Sequence, residues 1–335
     1  MKVFITGIAG FLGSHIGCAL IEKGYKVSGC DTLIGGYLDN VPDDAEFFQV
    51  DCGFLNTMKK LTRGVDVVIH TACTAYEGLS VFSPHLVTQN TFQISATVFT
   101  ACADNRVKRV INCSSMARYG TQDEIPFREE MTPKPQDPYG IAKVGAEQTL
   151  KVLSEVHGFE YVNLVPHNII GPHQKYDDPF RNVASIMINR MLQGKQPIVY
   201  GDGLQKRCFS DVRDLLNLFV KAVDLDGIQG ETINIGPDEE FITIVELAEI
   251  VADVVNFPNL DPIFVDPRPQ EVKYATCSAD KARKIFGYST SYSLRDSLAH
   301  MAKWIEQRGV KRFRYHLDIE VINEMTPKTW LNKMF

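Results

Sequence analysis

Thr6-Gly7-Ile8-Ala9-Gly10-Phe11-Leu12-Gly13 follows the short apolar run Val3-Phe4-Ile5 and opens a helical pattern. In this position Gly7 permits a tight turn, Gly10 lets the backbone approach a pyrophosphate, and Gly13 allows the helix to pack closely on the strand. The free N–H groups of the helix start would face the anion. A glycine-rich string alone is equally a structural turn, but the next strand pattern, Lys26–Cys30, ends at Asp31. A carboxylate some twenty residues downstream can accept hydrogen bonds from a ribose diol. No Arg or Lys follows immediately on Asp31, so a 2′-phosphate would meet repulsion and NAD is favoured over NADP.

Outward from this stretch the first half alternates short strands with longer helices. Strand patterns fall at Lys2–Thr6, Lys26–Cys30, Glu46–Val50, Val65–His70, Arg109–Ser114 and Tyr161–Val165. Helical patterns fall at Leu12–Lys23, Thr57–Leu61, Phe92–Asp104 and Tyr139–His157. Such alternation predicts an α/β fold, a Rossmann-type doubly wound parallel sheet with helices on both faces. Asp51-Cys52, after the third strand, is placed to meet an adenine edge, and Thr71-Ala72-Cys73, after the fourth, the nicotinamide half. The rhythm changes after Gly171-Pro172. Helices at Asn182–Gln193, Val245–Val255 and Leu294–Glu306, with strands at Pro197–Tyr200 and around Ile263–Pro269, predict a smaller α/β lobe built from discontinuous pieces. The expected division is 1–171 with 209–236 returning to it, against 172–208 and 237–335 as the substrate lobe. Phe313, Tyr315 and Trp330 suggest that the last segment packs on the body or on a partner.

Composition narrows the function classes. A chain of 335 residues with 44% apolar and 23% charged side chains is that of an ordinary soluble protein. The net charge of -6 offers no basic stripe for nucleic acid or an anionic membrane surface. The eight cysteines lack C-x-x-C or metal-ligand spacing and read as reduced thiols, so no metal site is expected and a cytoplasmic location is. No secretory signal or apolar span of transmembrane length is visible.

Tyr139 and Lys143 stand four residues apart behind the turn Asp137-Pro138, on one face of a helix. A phenol titrates near ~10, so it serves as a base at neutral pH only if a cation stabilises its phenolate. An isolated Y-x-x-x-K is most often a chance surface pair; the dinucleotide cradle upstream gives this one its meaning.

T-G-I-A-G-F-L-G, Asp31, H-T-A-C, S-S-M-A-R-Y-G, Y-G-I-A-K, H-N-I-I-G-P and D-G-L-Q-K-R together resemble the extended short-chain dehydrogenase/reductase superfamily, in unbroken order over roughly residues 1–305. Within it the chain is similar to nucleotide-sugar epimerases of the UDP-glucose 4-epimerase type. The resemblance implies a catalytic set of Ser115, Tyr139 and Lys143, with Lys143 holding the nicotinamide ribose and depressing the Tyr139 pKa. It adds Phe11, Leu12, Asn90 and His167 to the NAD contacts, although a hydrogen-bonded structural role suits His167 as well. It gives the substrate Asn168, Asn182 and Val183, and a diphosphate clamp of Arg207 and Arg268, for which guanidinium forks are well shaped. Ala275, as a small residue, is expected to leave room for an N-acetyl group at C2 of the sugar.

The implied reaction is NAD-dependent 4-epimerisation of a UDP-hexose or UDP-N-acetylhexosamine through a transient 4-keto sugar, an isomerase activity without net redox. Met116-Ala117 replace the acid pair of 4,6-dehydratases, which disfavours water elimination. Alternatives are another NAD-linked nucleotide-sugar enzyme, such as a uronate epimerase or decarboxylase, and a non-catalytic NAD-binding regulator. Apolar positions Phe92, Val98, Phe99, Val144, Leu150 and Leu153 on two helices lead to the expectation of a homodimer paired through their outer faces.

Overall fold

The computed structural model describes residues 1–335. Seven parallel strands form the central sheet: β1 (Lys2–Thr6), β2 (Lys26–Asp31), β3 (Glu46–Gln49), β4 (Val67–His70), β5 (Arg109–Cys113), β6 (Glu160–Pro166) and β7 (Thr232–Ile235). Their order is β7-β6-β5-β4-β1-β2-β3. The chain winds outward from β1 through β2 to β3, then returns to β4 on the other side of β1. Adjacent loops at the C-terminal ends of β1 and β4 therefore part in opposite directions and leave a crevice, the usual ligand position in such a sheet.

Side chains alternate across the strands and both sheet faces are covered, as a parallel sheet requires. Val3, Ile5, Ile69, Ile111 and Val162 enter one core with helices Phe11–Glu22 and Val212–Ala222. Phe4, Val68 and Val110 enter the other, against Ile94–Asp104 and Pro138–His157. Val98, Phe99 and Leu150 are completely buried in that second core. They thus serve this chain's own packing and not an outer stripe, which corrects the expectation from the sequence. The apolar side chains left exposed on Pro138–His157 are Ile141, Val152 and Val156. The helix expected at Phe92–Asp104 also starts earlier: Pro84–Thr88 is α-helical, Gln89–Gln93 is a π-turn and Ile94–Asp104 resumes the α-helix.

The second lobe has its own core, in which Met187, Ile188, Leu247, Val251, Leu298 and Met301 join helices Val183–Leu192, Ile244–Val254 and Leu294–Arg308. Each helix start is set by a side-chain cap: Asn182 on the Ala184 N–H, and reciprocal capping boxes of Thr243 with Glu246 and Ser293 with Asp296. Two small sheets complete the lobe. Ile198–Tyr200 pairs with Ile263–Val265, and Lys206–Arg207 lies between Ile242–Thr243 and Tyr274–Ala275.

The last residues fold back over the molecule as a strap. The Glu320 carboxylate accepts from the backbone N–H groups of His85 and Leu86, both at 2.9 Å, and the Val321 N–H donates to the Phe82 carbonyl at 2.9 Å. Farther along, the Thr329 hydroxyl meets Tyr200 Oη at 2.6 Å, and Trp330 sits edge-on to Phe82 and Phe180. The strap joins the segment after β4 to the second lobe. No helix is long and apolar enough to cross a membrane.

Candidate active site

A cleft of about 450 Å³ runs from the C-terminal ends of β1 and β4 into the second lobe. At its first end Gly7 adopts φ +77° as the chain leaves β1, with its N–H on the Cys30 carbonyl at 2.7 Å. Gly13 has no alternative on steric grounds, because a Cβ there would stand 2.2 Å from the Gly7 carbonyl oxygen. The helix Phe11–Glu22 begins at Gly10 with no side-chain cap and no acid in its first turn. Its leading N–H groups are therefore available to an anion, and Gly10, Phe11, Leu12 and Gly13 all line the cleft.

Asp31 accepts from the backbone N–H groups of Leu33 at 2.7 Å and Ala9 at 3.1 Å, which aims its carboxylate into the cleft. Burial raises its pKa while those N–H groups hold it down. Asp51 is both a turn residue, bonded to the Gly53 N–H at 2.7 Å, and part of the wall, beside Cys52. Thr71, Ala72 and Cys73 line the cleft beyond β4, and Asn90 reaches it from the π-turn. An uncapped helix start, a glycine-only approach and a carboxylate at the end of β2 together fit a dinucleotide.

Tyr139, Lys143 and Ser115 line the same cleft. The helix that carries them is started by Asp137, whose carboxylate accepts from the Gly140 N–H at 2.9 Å, with Pro138 in the first helical position. Ser115 lies just beyond β5 and caps a 3₁₀ turn over Met116–Arg118. That turn is fixed from beneath by a buried ion pair, Arg118 with Glu147 at 3.1 Å, and Glu147 also accepts from the Ser114 hydroxyl.

The sequence leads one to expect that Lys143 depresses the Tyr139 pKa. In the structure, burial pushes that pKa well above the ordinary phenol value, while the Ser115 hydroxyl works in the opposite direction. Lys143 donates to the Cys113 carbonyl at 2.7 Å and stands 5.8 Å from the centre of the Tyr139 ring. A positive charge brought into the cleft would favour ionisation of the phenol.

At the second end Asn168, Asn182, Val183, Arg207 and Arg268 all line the cleft. Asn168, at φ +40°, donates to the Cys208 carbonyl at 2.9 Å. Arg207 is held by the carbonyls of Val272 at 2.6 Å and Lys206 at 2.8 Å. Arg268 is paired with Glu271 at 2.7 Å and lies over the Tyr200 ring at 4.9 Å.

Two expected site residues lie elsewhere. His167 is buried with Nε2 on the Pro237 carbonyl at 2.6 Å; burial lowers its pKa, and it is absent from the cleft wall. Its contacts are those of a hydrogen-bonded structural histidine. Ala275 is buried in a cluster with Tyr119, Phe127, Val165, Val272 and Cys277, because its strand pairs edge to edge with Lys206–Arg207. It is not part of the cleft wall, so its size gives no ground for expecting an N-acetyl preference.

The structure adds wall residues that the sequence did not reveal: Glu77, Arg181, Glu271, Trp330 and Phe335. Arg181 starts from the second lobe, donates to the Gly35 carbonyl at 2.9 Å, packs over the Tyr76 ring and faces Asp178 at 3.5 Å. Tyr76 in turn donates to Asp178 at 2.5 Å. Only the R-x-x-E spacing of Arg268 and Glu271 was a usable signal.

A dinucleotide cradle joined to Ser115 and the buried Tyr139 and Lys143, with two arginines in the same cleft, marks a dinucleotide-dependent enzyme. The sequence pattern of the NAD dependent epimerase/dehydratase family matches residues 3–236, and the chain belongs to that family; its cofactor is NAD. A putative UDP-glucose 4-epimerase of Methanocaldococcus jannaschii is 30% identical over 313 residues, 92% of this chain and 99% of that protein. Among solved structures, the UDP-N-acetylglucosamine 4-epimerase of Methanobrevibacter ruminantium, in complex with UDP-N-acetylmuramic acid, superposes with a TM-score of 0.84 at 30% identity over 92% of this chain and 99% of that one. The UDP-glucuronic acid 4-epimerase of Bacillus cereus, in complex with UDP-glucuronic acid and NAD, gives 0.85 at 28% identity over 92% and 100%.

Proposed function

We propose that this enzyme is an isomerase that inverts C4 of the hexose in a UDP-sugar. The observation that supports the reading is one continuous cleft whose lining includes Ser115, Tyr139 and Lys143 together with the glycine turn, Asp31 and the arginine pair. NAD, when bound, supplies reversible acceptance of hydride and the positive ring charge that favours the phenolate. Gly10 to Gly13 and Asp31 hold its pyrophosphate and ribose. Arg207 and Arg268 hold the substrate diphosphate, with Asn168, Asn182 and Val183 beside it.

Tyr139 takes the proton from the 4-hydroxyl and later returns it, and the Ser115 hydroxyl keeps the sugar oxygen in line. Lys143 stabilises the charge on Tyr139 and is itself fixed by the Cys113 carbonyl. Because the grip lies on the nucleotide and diphosphate, the 4-keto ring is free to turn over between the two transfers. Residues 1–171 and 209–236 serve the cofactor in this scheme, and 172–208 with 237–335 serve the substrate. The exposed Ile141, Val152 and Val156 support a homodimer through the Pro138–His157 helix; a monomer by light scattering at micromolar concentration would refute that part.

Incubation with UDP-, GDP-, CDP- and dTDP-sugars, followed by proton NMR at C4, tests the activity. Inversion of a UDP-hexose without net NADH is the expected result. Carbon dioxide release or stoichiometric NADH would overturn it.

A further inference from the structure

Glu77 opens a single helical turn, Glu77–Ser80, in the segment after β4, and it lines the cleft. The charges that act on it come from two sides. Asp137 and Tyr139 belong to the start of the catalytic helix; Arg207, Arg268 and Glu271 belong to the second lobe. Gly78, the next residue, is packed under Arg268, where a Cβ would stand 3.0 Å from Nη1. Glu77 thus lies between the proton-transfer end and the diphosphate end, which is where a hexose joining the two must sit.

Its neighbours are already committed. Asp137 accepts from the Gly140 N–H and from the Ser80 hydroxyl, at 3.3 Å. Arg207 is turned onto main-chain carbonyls and Arg268 onto Glu271. The Glu77 carboxylate has no hydrogen bond and no cation within 4.0 Å. Glu77 is exposed where it lines the cleft, so both carboxylate oxygens are free to accept donors from a ligand that enters.

We propose that Glu77 reads the sugar: it accepts hydrogen bonds from hydroxyl or amide N–H donors on a neutral hexose and excludes hexoses that carry a carboxylate. The inference rests on the 4-epimerase reading and sharpens it, because relatives of similar fold act on both neutral and uronic sugars. A uronate would set a second anion beside an unneutralised one, and two carboxylates crowded together cannot both ionise without cost. Desolvation by the cleft walls and the nearby Asp137 push the Glu77 carboxyl up to about 6, against the pull of Arg207 and Arg268, although the residue as a whole stays exposed. The barrier to uronates should therefore be present above that pH and fade below it, as the carboxyl takes up a proton.

The test compares UDP-glucose, UDP-N-acetylglucosamine and UDP-glucuronate on the NAD-loaded full-length enzyme, wild type and Glu77→Gln, by kcat and KM at pH 8 and pH 5.5. For wild type at pH 8 we expect kcat/KM for the uronate about 100-fold or more below that of the better neutral sugar. Glu77→Gln should narrow that ratio at least about tenfold, mainly through KM, and should remove its pH dependence. Calorimetric affinities for the same three ligands report the ratio even if turnover is absent, so a failed epimerase reading is distinguishable from a failed Glu77 assignment. A wild-type preference for the uronate, or a ratio unchanged by both the substitution and acid pH, would overturn the proposal.

Discussion

The two ends of the cleft are built from different materials. The NAD end is made of main chain: the Gly7 turn, an uncapped helix start and one carboxylate, all on adjoining strand ends. The end where we place the substrate is lined by side chains from four separated segments, with Glu77, Arg207, Arg268 and Trp330 each arriving from a different one. Backbone geometry leaves a trace in glycine spacing and tolerates almost no substitution. A side-chain wall can be rebuilt residue by residue, so the family can keep one cofactor and change the sugar.

The sharpest way to break the contrast is to disturb the main-chain end. Gly13→Val would drive a Cβ into the Gly7 carbonyl, and we expect loss of bound NAD with a large fall in melting temperature, or failure to fold. Absorbance of the purified protein and a thermal melt decide it; NAD retained at full occupancy would show that the turn is adaptable.

Next in size is the centre of the cleft. Tyr139→Phe should lower kcat about 10³-fold with NAD occupancy unchanged. Since burial raises the Tyr139 pKa, the rate should climb with pH as the phenol ionises. Lys143→Met should move that limb to higher pH, because one of the charges favouring phenolate is gone. A limb that stays in place would mean that Lys143 only positions the ribose.

The smallest effect belongs to the strap. Trp330 is buried between Phe82 and Phe180, and Trp330→Ala should cost about 3 kcal/mol of stability. It should raise KM for the nucleotide sugar and leave NAD binding intact, which would separate the two ends cleanly. Equal loss of cofactor and substrate would show that they are coupled through the strap.

What the sequence made legible follows the same division. The strand Lys2–Thr6 was readable to the residue, and Gly7, Gly10, Gly13 and Asp31 to their positions, because strand alternation and tight turns are local. Val98, Phe99 and Leu150 were read as facing outward because periodicity marks an apolar face without saying what covers it; the sheet does. Ala275 and His167 were placed by motif position alone, and strand pairing with Lys206–Arg207 and the Pro237 carbonyl took them into the core. Glu77 lay in a stretch without a recognisable pattern. Its meaning exists only once Arg268 has folded over Gly78 from nearly two hundred residues away.

Arg181 has a consequence for the economy of the catalytic cycle. It belongs to one lobe and is fastened to Gly35 of the other, at the ribose-binding edge. Any movement that drew Arg181 away from the end of β2 would have to break that bond. A coenzyme that ends every turnover in the state in which it began need not be exchanged, and a tie across its ribose-binding edge costs such a cycle nothing.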